Sequence, residues 1–180
     1  MNLLSYDQIL MRQLKSIRTT EFTIETPDGQ PVGRVVTLGS GVKHLFMGGR
    51  ELDVCELDGT LVLKVVDPVN LGRDRMSIFG PDGSQIAELS QIYTLSKPKI
   101  EIQVVTGERL VLRGDGSKTE FTVEGEGGVL AFVKRGGSPK DLMMRRGNYA
   151  MTFAPGSSPM HRAVVIGAMI GFNLMNAKER

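Results

Sequence analysis

Cys55 and His44 are the one pair of side chains whose types suit nucleophilic catalysis. A thiol nucleophile needs a base within hydrogen-bond reach and a third group that orients the base. Asp53 shares a strand face with Cys55 by alternation, but no flanking signature joins either residue to His44. Cys55 therefore reads as a buried structural thiol, and the chain reads as a non-enzyme. With two histidines and one cysteine, a zinc site would depend on carboxylates and has no ligand spacing behind it. His161 falls at the start of a C-terminal helical pattern, a place where an anion can bind. Gly125 to Gly128 has no Lys-Ser/Thr after it and no helix, so it is not a phosphate loop. Gly39-Ser40-Gly41 leads into Val42-Lys43-His44, which reads as strand.

The strongest charge feature is Lys134, Arg135, Lys140, Arg145 and Arg146, opposed only by Asp141. These residues bracket Gly136-Gly137-Ser138-Pro139 and lie beside Leu142, Met143 and Met144. Basic residues around a loop with apolar side chains suit an anionic membrane surface, at about 1 kcal/mol per Lys or Arg near the lipid. The plainer reading is a solvated hairpin whose Leu and Met enter the core. An acidic set, Glu51, Asp53, Glu56 and Asp58, lies on an earlier hairpin. It is either a solvated edge or a partner patch, and is too diffuse for a metal site.

These groups sit in a chain of 180 residues with a formal net charge of +2. That length suits one domain with a proper core. The modest charge implies no nucleic-acid partner. One cysteine excludes an intramolecular disulfide and favours a reducing compartment, so a cytoplasmic location is expected, with peripheral membrane contact as an extension of it. The first residues lack a charged leader followed by a long apolar run. Leu3, Leu4, Ile9, Leu10 and Leu14 suggest a short amphipathic helix, so residues 1–20 are expected to form an N-terminal helix or extension.

From Ala163 to Met175 every residue is apolar except Asn173. A surface helix would keep a polar face. This one must be buried all round, through Ala163, Val164, Ile166, Gly167, Ile170, Gly171 and Leu174 among others. The apolar run spans about 20 Å as a helix, whereas a bilayer core is about 30 Å thick. A core helix over residues 159–177 is therefore expected, with a bilayer-crossing tail as the alternative. Ser158 suits the N-cap, and Pro159 the first helical position. Ala163, Gly167 and Gly171 place small residues at every fourth position, which permits close approach to strands or to another helix.

From Glu21 onward the chain alternates apolar and polar residues between turns. Asp28-Gly29, Asp58-Gly59, Asp82-Gly83 and Asp115-Gly116 each separate two alternating runs, as do Thr106-Gly107 and the stretch Glu124 to Gly128. Asp-Gly between such runs is a strong hairpin signal. Strands with one wet and one dry face form antiparallel sheet over a core, and closure into a barrel removes the exposed edges. The apolar helix would then fill the barrel. The expected fold is mainly β (α+β), one closed antiparallel barrel over residues 21–180 around a central C-terminal helix.

The hairpin series, the segment YAMTFAPGSSPMHRAVVIGAMIGFNLMNAK and the terminal apolar helix resemble the Tubby C-terminal-like superfamily. Within it the chain is most similar to the phospholipid scramblase and LURP-one-related branch, from Glu21 to Arg180. The resemblance implies a barrel of about twelve strands wrapped round the helix. It also implies a lipid-associated role, since Tubby proteins bind phosphoinositides and scramblases are linked to calcium-dependent lipid movement. One departure bears on calcium. Phe153 to Met160, just before the helix, contains no carboxylate, and calcium sites usually include Asp or Glu. No cofactor is expected.

Three functions follow as expectations, with an enzyme of uncertain class as a further alternative. The first is peripheral binding of anionic phospholipid headgroups through Lys134, Arg135, Lys140, Arg145 and Arg146. The second is a protein-interaction or structural module that meets no lipid. The third is a scramblase with residues 158–180 crossing the bilayer.

Overall fold

The computed structural model describes residues 2–14, 21–38, 49–68, 75–92, 97–136 and 148–178. Twelve strands precede one helix: Gln8–Gln13 (β1), Phe22–Glu25 (β2), Pro31–Leu38 (β3), Arg50–Glu56 (β4), Leu61–Asp67 (β5) and Arg75–Phe79 (β6). Gln85–Ile92 (β7), Lys99–Val104 (β8), Arg109–Gly114 (β9), Glu120–Gly125 (β10), Gly128–Gly136 (β11) and Asn148–Phe153 (β12) follow, and Pro159–Lys178 is α1. Each strand pairs antiparallel with its neighbours in sequence, and β1 pairs with β12 to close the barrel.

The expected turns carry the hairpins. Asp28-Gly29 joins β2 to β3 and Asp58-Gly59 joins β4 to β5, with φ of +84° and +90° at the two glycines. A Cβ at those angles would be strained, which is why Asp-Gly serves there. The β9–β10 connection differs. Its left-handed residue is Lys118, at φ 57°, and not the Gly116 of the dipeptide.

The N-terminal segment forms differently from the expected helix. Leu3–Ser5 make a single 3-10 turn, and Gln8–Gln13 are a strand. Ile9 and Met11 alternate into the core, opposite Met151 and Tyr149 on β12. The barrel therefore begins at Gln8 and not at Glu21. The physical reason is closure: without β1, both β2 and β12 would present an unpaired edge.

Twelve strands set the right radius for a helix inside. With strands about 4.8 Å apart and tilted by about 40°, the circle closes at a radius of about 12 Å. A helix packs its neighbours at 8–10 Å, so α1 fits with side chains between and little space left. Ala163, Val164, Ile166, Ile170 and Leu174 are all buried, as are Gly167 and Gly171. The helix is enclosed by strands, so the bilayer-crossing alternative for residues 158–180 does not describe it. Among the described residues no helix is long and apolar enough to cross a membrane.

α1 leans on β5–β8, and its glycines permit this. A Cβ at Gly167 would lie 2.6 Å from Ile78 Cδ1, and one at Gly171 would lie 2.5 Å from Leu89 Cδ1. On the other side the gap is filled by larger groups. The Phe121 ring meets Phe172 edge-on at 4.8 Å and Tyr149 at 6.5 Å.

One buried cation pins the helix start to both ends of the sheet. Arg162 donates to the Tyr6 carbonyl at 2.7 Å, to Asp7 Oδ1 at 2.6 Å and to the Ser157 carbonyl at 3.2 Å. Its guanidinium also lies over the Phe153 ring at 5.4 Å. At the same barrel end the buried Glu56 carboxylate accepts the Leu3 N–H at 2.6 Å and holds the 3-10 turn in place.

Two stability outcomes follow. Gly171→Leu should cost about 1–3 kcal/mol by overpacking, read as a lower urea midpoint at unchanged slope. Arg162→Ala should cost about 1–3 kcal/mol, because the Tyr6 and Ser157 carbonyls lose their donor. Wild-type midpoints in either variant would contradict the close helix packing or the clamp.

Candidate functional site

Cys55 lies on β4 beside a β-bulge, opposite Arg34 and Leu61. It is only 8% exposed. Burial, together with the Asp53 carboxylate, pushes its thiol pKa up and outweighs Arg34. A raised thiol pKa disfavours the thiolate that a nucleophile needs. His44, the proposed base, lies outside the described residues.

The acidic set does not converge. Glu51 and Asp53 point outward from β4 and share Lys64 of β5, at 3.3 and 3.9 Å. Burial raises the Asp53 pKa, and Lys64 only partly offsets this. Glu56 is buried under the 3-10 turn, and Asp58 accepts the Thr60 N–H in its hairpin. Among the described residues no group of three or more His, Cys, Asp or Glu is placed to hold a metal. Just before α1, Ser157 Oγ donates to the Leu130 carbonyl and Ser158 Oγ accepts the His161 N–H. Those hydroxyls are committed to the chain reversal and the helix cap.

His161 does sit at the barrel end by the helix start. Its Nε2 lies 2.8 Å from Glu108 Oε2 on the β8–β9 turn. A carboxylate at that distance would repel an anion, so the helix start is no anion site.

The basic segment divides. Lys134 and Arg135 are on β11, whereas Lys140, Arg145 and Arg146 lie outside the described residues. Lys134 points outward, and its Nζ is 3.4 Å from Glu120 Oε1 on β10. Arg135 pairs across the sheet with Tyr149, whose hydroxyl pKa is raised by burial. Its backbone N–H donates to the Thr119 carbonyl at 2.7 Å.

Next to Lys134 is a feature that sequence reasoning missed. Phe132, two residues earlier on the outward face, is 52% exposed. Thr122 lies opposite it on β10, and Arg113 lies opposite Thr122 on β9. Phe132, Arg113 and Lys134 line an open groove of about 330 Å³ on the outer wall. Arg113 Nε is 3.7 Å from Glu124 Oε2. Such exposed pairs are worth about 0–1 kcal/mol, so both cations are easily recruited by another anion. The signal in the sequence was Phe132 on the polar phase of β11, between Ala131 and Val133.

Asp115 organises the rim at the end of this groove. Its carboxylate accepts N–H bonds from Thr119 at 2.7 Å and Glu120 at 2.9 Å, and hydroxyl bonds from Ser117 and Thr119. Those donors hold its pKa far below the usual carboxylate range. On the other side of the connection, Lys118 Nζ donates to Asn176 Oδ1 on α1 at 3.2 Å.

The sequence matches the LURP-one-related family over residues 8–173. No curated protein matches it. Among solved structures, an X-ray structure of an Arabidopsis thaliana protein superposes with a TM-score of 0.59 at 10% identity. The match covers 96% of this chain and 92% of that one. At that identity the likeness is one of fold.

Two measurements test the local chemistry. Native Cys55 should alkylate with iodoacetamide at pH 8 far more slowly than after unfolding in urea; equal rates would contradict its burial. Asp115 has a folded pKa below its unfolded value of about 4, so its stabilising effect is complete above that pH and fades as pH falls. Asp115→Asn should therefore lose more stability relative to wild type at pH 6 than at pH 3. A difference independent of pH would show that the ionised carboxylate is not what holds the connection.

Proposed function

The chain belongs to the LURP-one-related family of the Tubby-like C-terminal superfamily, and on that premise we propose that it is a non-catalytic barrel that binds anionic phospholipid headgroups at a membrane surface. The observation that carries the reading is the exposed Phe132, flanked on the groove by Arg113 and Lys134. Apolar and cationic groups side by side suit the interface of an anionic bilayer.

The position of the groove supports a wider basic contact. β11 ends at Gly136 and β12 starts at Asn148 on one rim of the barrel, and the chain between them contains Lys140, Arg145 and Arg146. Arg135 stands at the same end of β11. The five short hairpin turns lie at the other rim, and each carries a carboxylate: Asp28, Asp58, Asp82, Glu108 and Glu126. That rim is repelled by an anionic surface, so the barrel approaches lipid with the β11–β12 end forward.

Co-sedimentation with vesicles tests this. Binding is expected to vesicles containing phosphatidylserine, not to purely zwitterionic ones, and should fall as salt rises. Each cation removed, as in Arg113→Ala, Lys134→Ala or Arg145→Ala, should weaken binding about fivefold, equivalent to about 1 kcal/mol. Phe132→Ser should weaken it further. No binding to anionic vesicles at any salt concentration overturns the reading.

A further inference from the structure

Leu57, Val105 and Met160 are three of the five large apolar side chains exposed among the described residues, at 52%, 67% and 37%. All three stand on the short-turn rim. Leu57 is in the β4–β5 turn, Val105 in the β8–β9 turn and Met160 in the first turn of α1. The last two are physically joined. His161 Nε2, next to Met160, meets Glu108 of the β8–β9 turn at 2.8 Å. The Val105 N–H bonds the Ile86 carbonyl at the start of β7, which brings the β6–β7 turn alongside.

Every charged side chain in the hairpin turns of the same rim is a carboxylate, one of which, Glu108, is engaged by His161. None of its five hairpin turns contains Lys or Arg. Arg162, the cation beneath it, is buried and engaged by Asp7 and by the Tyr6 and Ser157 carbonyls. Arg109 opens β9 on the outer wall. Turn chemistry accounts for Asp58 and Asp82, which accept the Thr60 and Ser84 N–H groups. It accounts neither for Glu126 nor for Leu and Val exposed at turn tips, where water-facing polar residues are the rule.

We propose that this rim docks a polypeptide segment that carries Lys or Arg beside apolar side chains. Charge complementarity sets the partner's sign and steers the encounter. Leu57, Val105 and Met160 supply the apolar contact that a purely electrostatic surface lacks. One hairpin is about 10 Å wide, so Leu57 and Val105 lie about 20 Å apart across the β6–β7 turn. A helix of about 14 residues spans that distance. The docking end is opposite the groove of Phe132, so both ends are free to be used at once. The inference stands on this rim alone and does not depend on lipid binding.

Fluorescence anisotropy with the full chain tests it. The probe is a labelled amphipathic peptide of about 14 residues built from Arg and Leu at helical spacing, with an Arg/Ser and a Glu/Leu peptide as comparisons. The Arg/Leu peptide should bind, and the other two at least tenfold more weakly. Asp58→Lys with Asp82→Lys should weaken binding at least tenfold, and Leu57→Ser with Val105→Ser at least fivefold. Arg75→Ala, on the outer wall, should leave it unchanged. The milder pair Asp58→Asn with Asp82→Asn, whose amide oxygens can still accept the Thr60 and Ser84 N–H groups, should also weaken binding, and serves if the reversed charges unfold the chain. No binding of the Arg/Leu peptide, equal binding of the Arg/Ser peptide, or wild-type affinity in folded rim variants overturns the proposal.

Discussion

A helix with no polar face has to be enclosed, and the rest of the molecule is arranged around that requirement. A sheet that covers one side of α1 would leave Val164, Ile166 or Leu174 facing water. Only closure buries every side, and only about a dozen strands close at a radius that leaves room for a helix and its side chains. The strands gain as much from the arrangement as the helix does. Their inward residues, such as Ile24, Leu52 and Leu112, have a partner surface, and the closed ladder leaves no edge to aggregate.

Closure makes the two ends of the chain depend on each other. β1 and β12 are far apart in sequence yet complete the barrel side by side, and Arg162 fastens the helix start to the chain just before β1. The helix follows β12 in the chain and starts at the barrel end where β12 stops. The glycines at 167 and 171 then decide where it sits, against Ile78 and Leu89, while Phe121, Tyr149 and Phe172 occupy the wider side. The inward side chains of the strands and those of α1 form one continuous buried core.

The outside is divided between two chemistries. The wall carries cross-strand ion pairs such as Arg12–Glu25, Arg75–Glu88 and Lys134–Glu120, which keep most of it neutral. Departures from that neutrality are local. Phe132 stands exposed beside Arg113 and Lys134 on one flank, toward the end that holds the β11–β12 connection. The opposite rim combines carboxylates with Leu57, Val105 and Met160. A barrel whose hairpin turns at one rim carry carboxylates, and whose β11 carries Lys134 and Arg135 toward the other, has a direction.

Much of this was legible from short-range patterns. Asp-Gly turns between alternating runs mark hairpins because few residues tolerate positive φ, and the run from Ala163 to Met175 marks an enclosed helix because no face of it is polar. The family resemblance rested on those same features. The N-terminal strand was not legible: Leu3, Leu4, Ile9, Leu10 and Leu14 fit a helical stripe as well as a strand, and only pairing with both β2 and β12 selects the strand. Lys134 likewise reads as a free cation in sequence, and its pairing with Glu120 depends on the β10–β11 register. The sequence by itself determined the hairpins, the antiparallel sheet and the burial of the helix, because local φ preferences and hydrophobic periodicity act over a few residues. Only the tertiary structure decided the β1–β12 closure, the lean of the helix, the pairing of His161 with Glu108 and the gathering of exposed apolar tips on one acidic rim, because each joins residues that the chain itself keeps far apart.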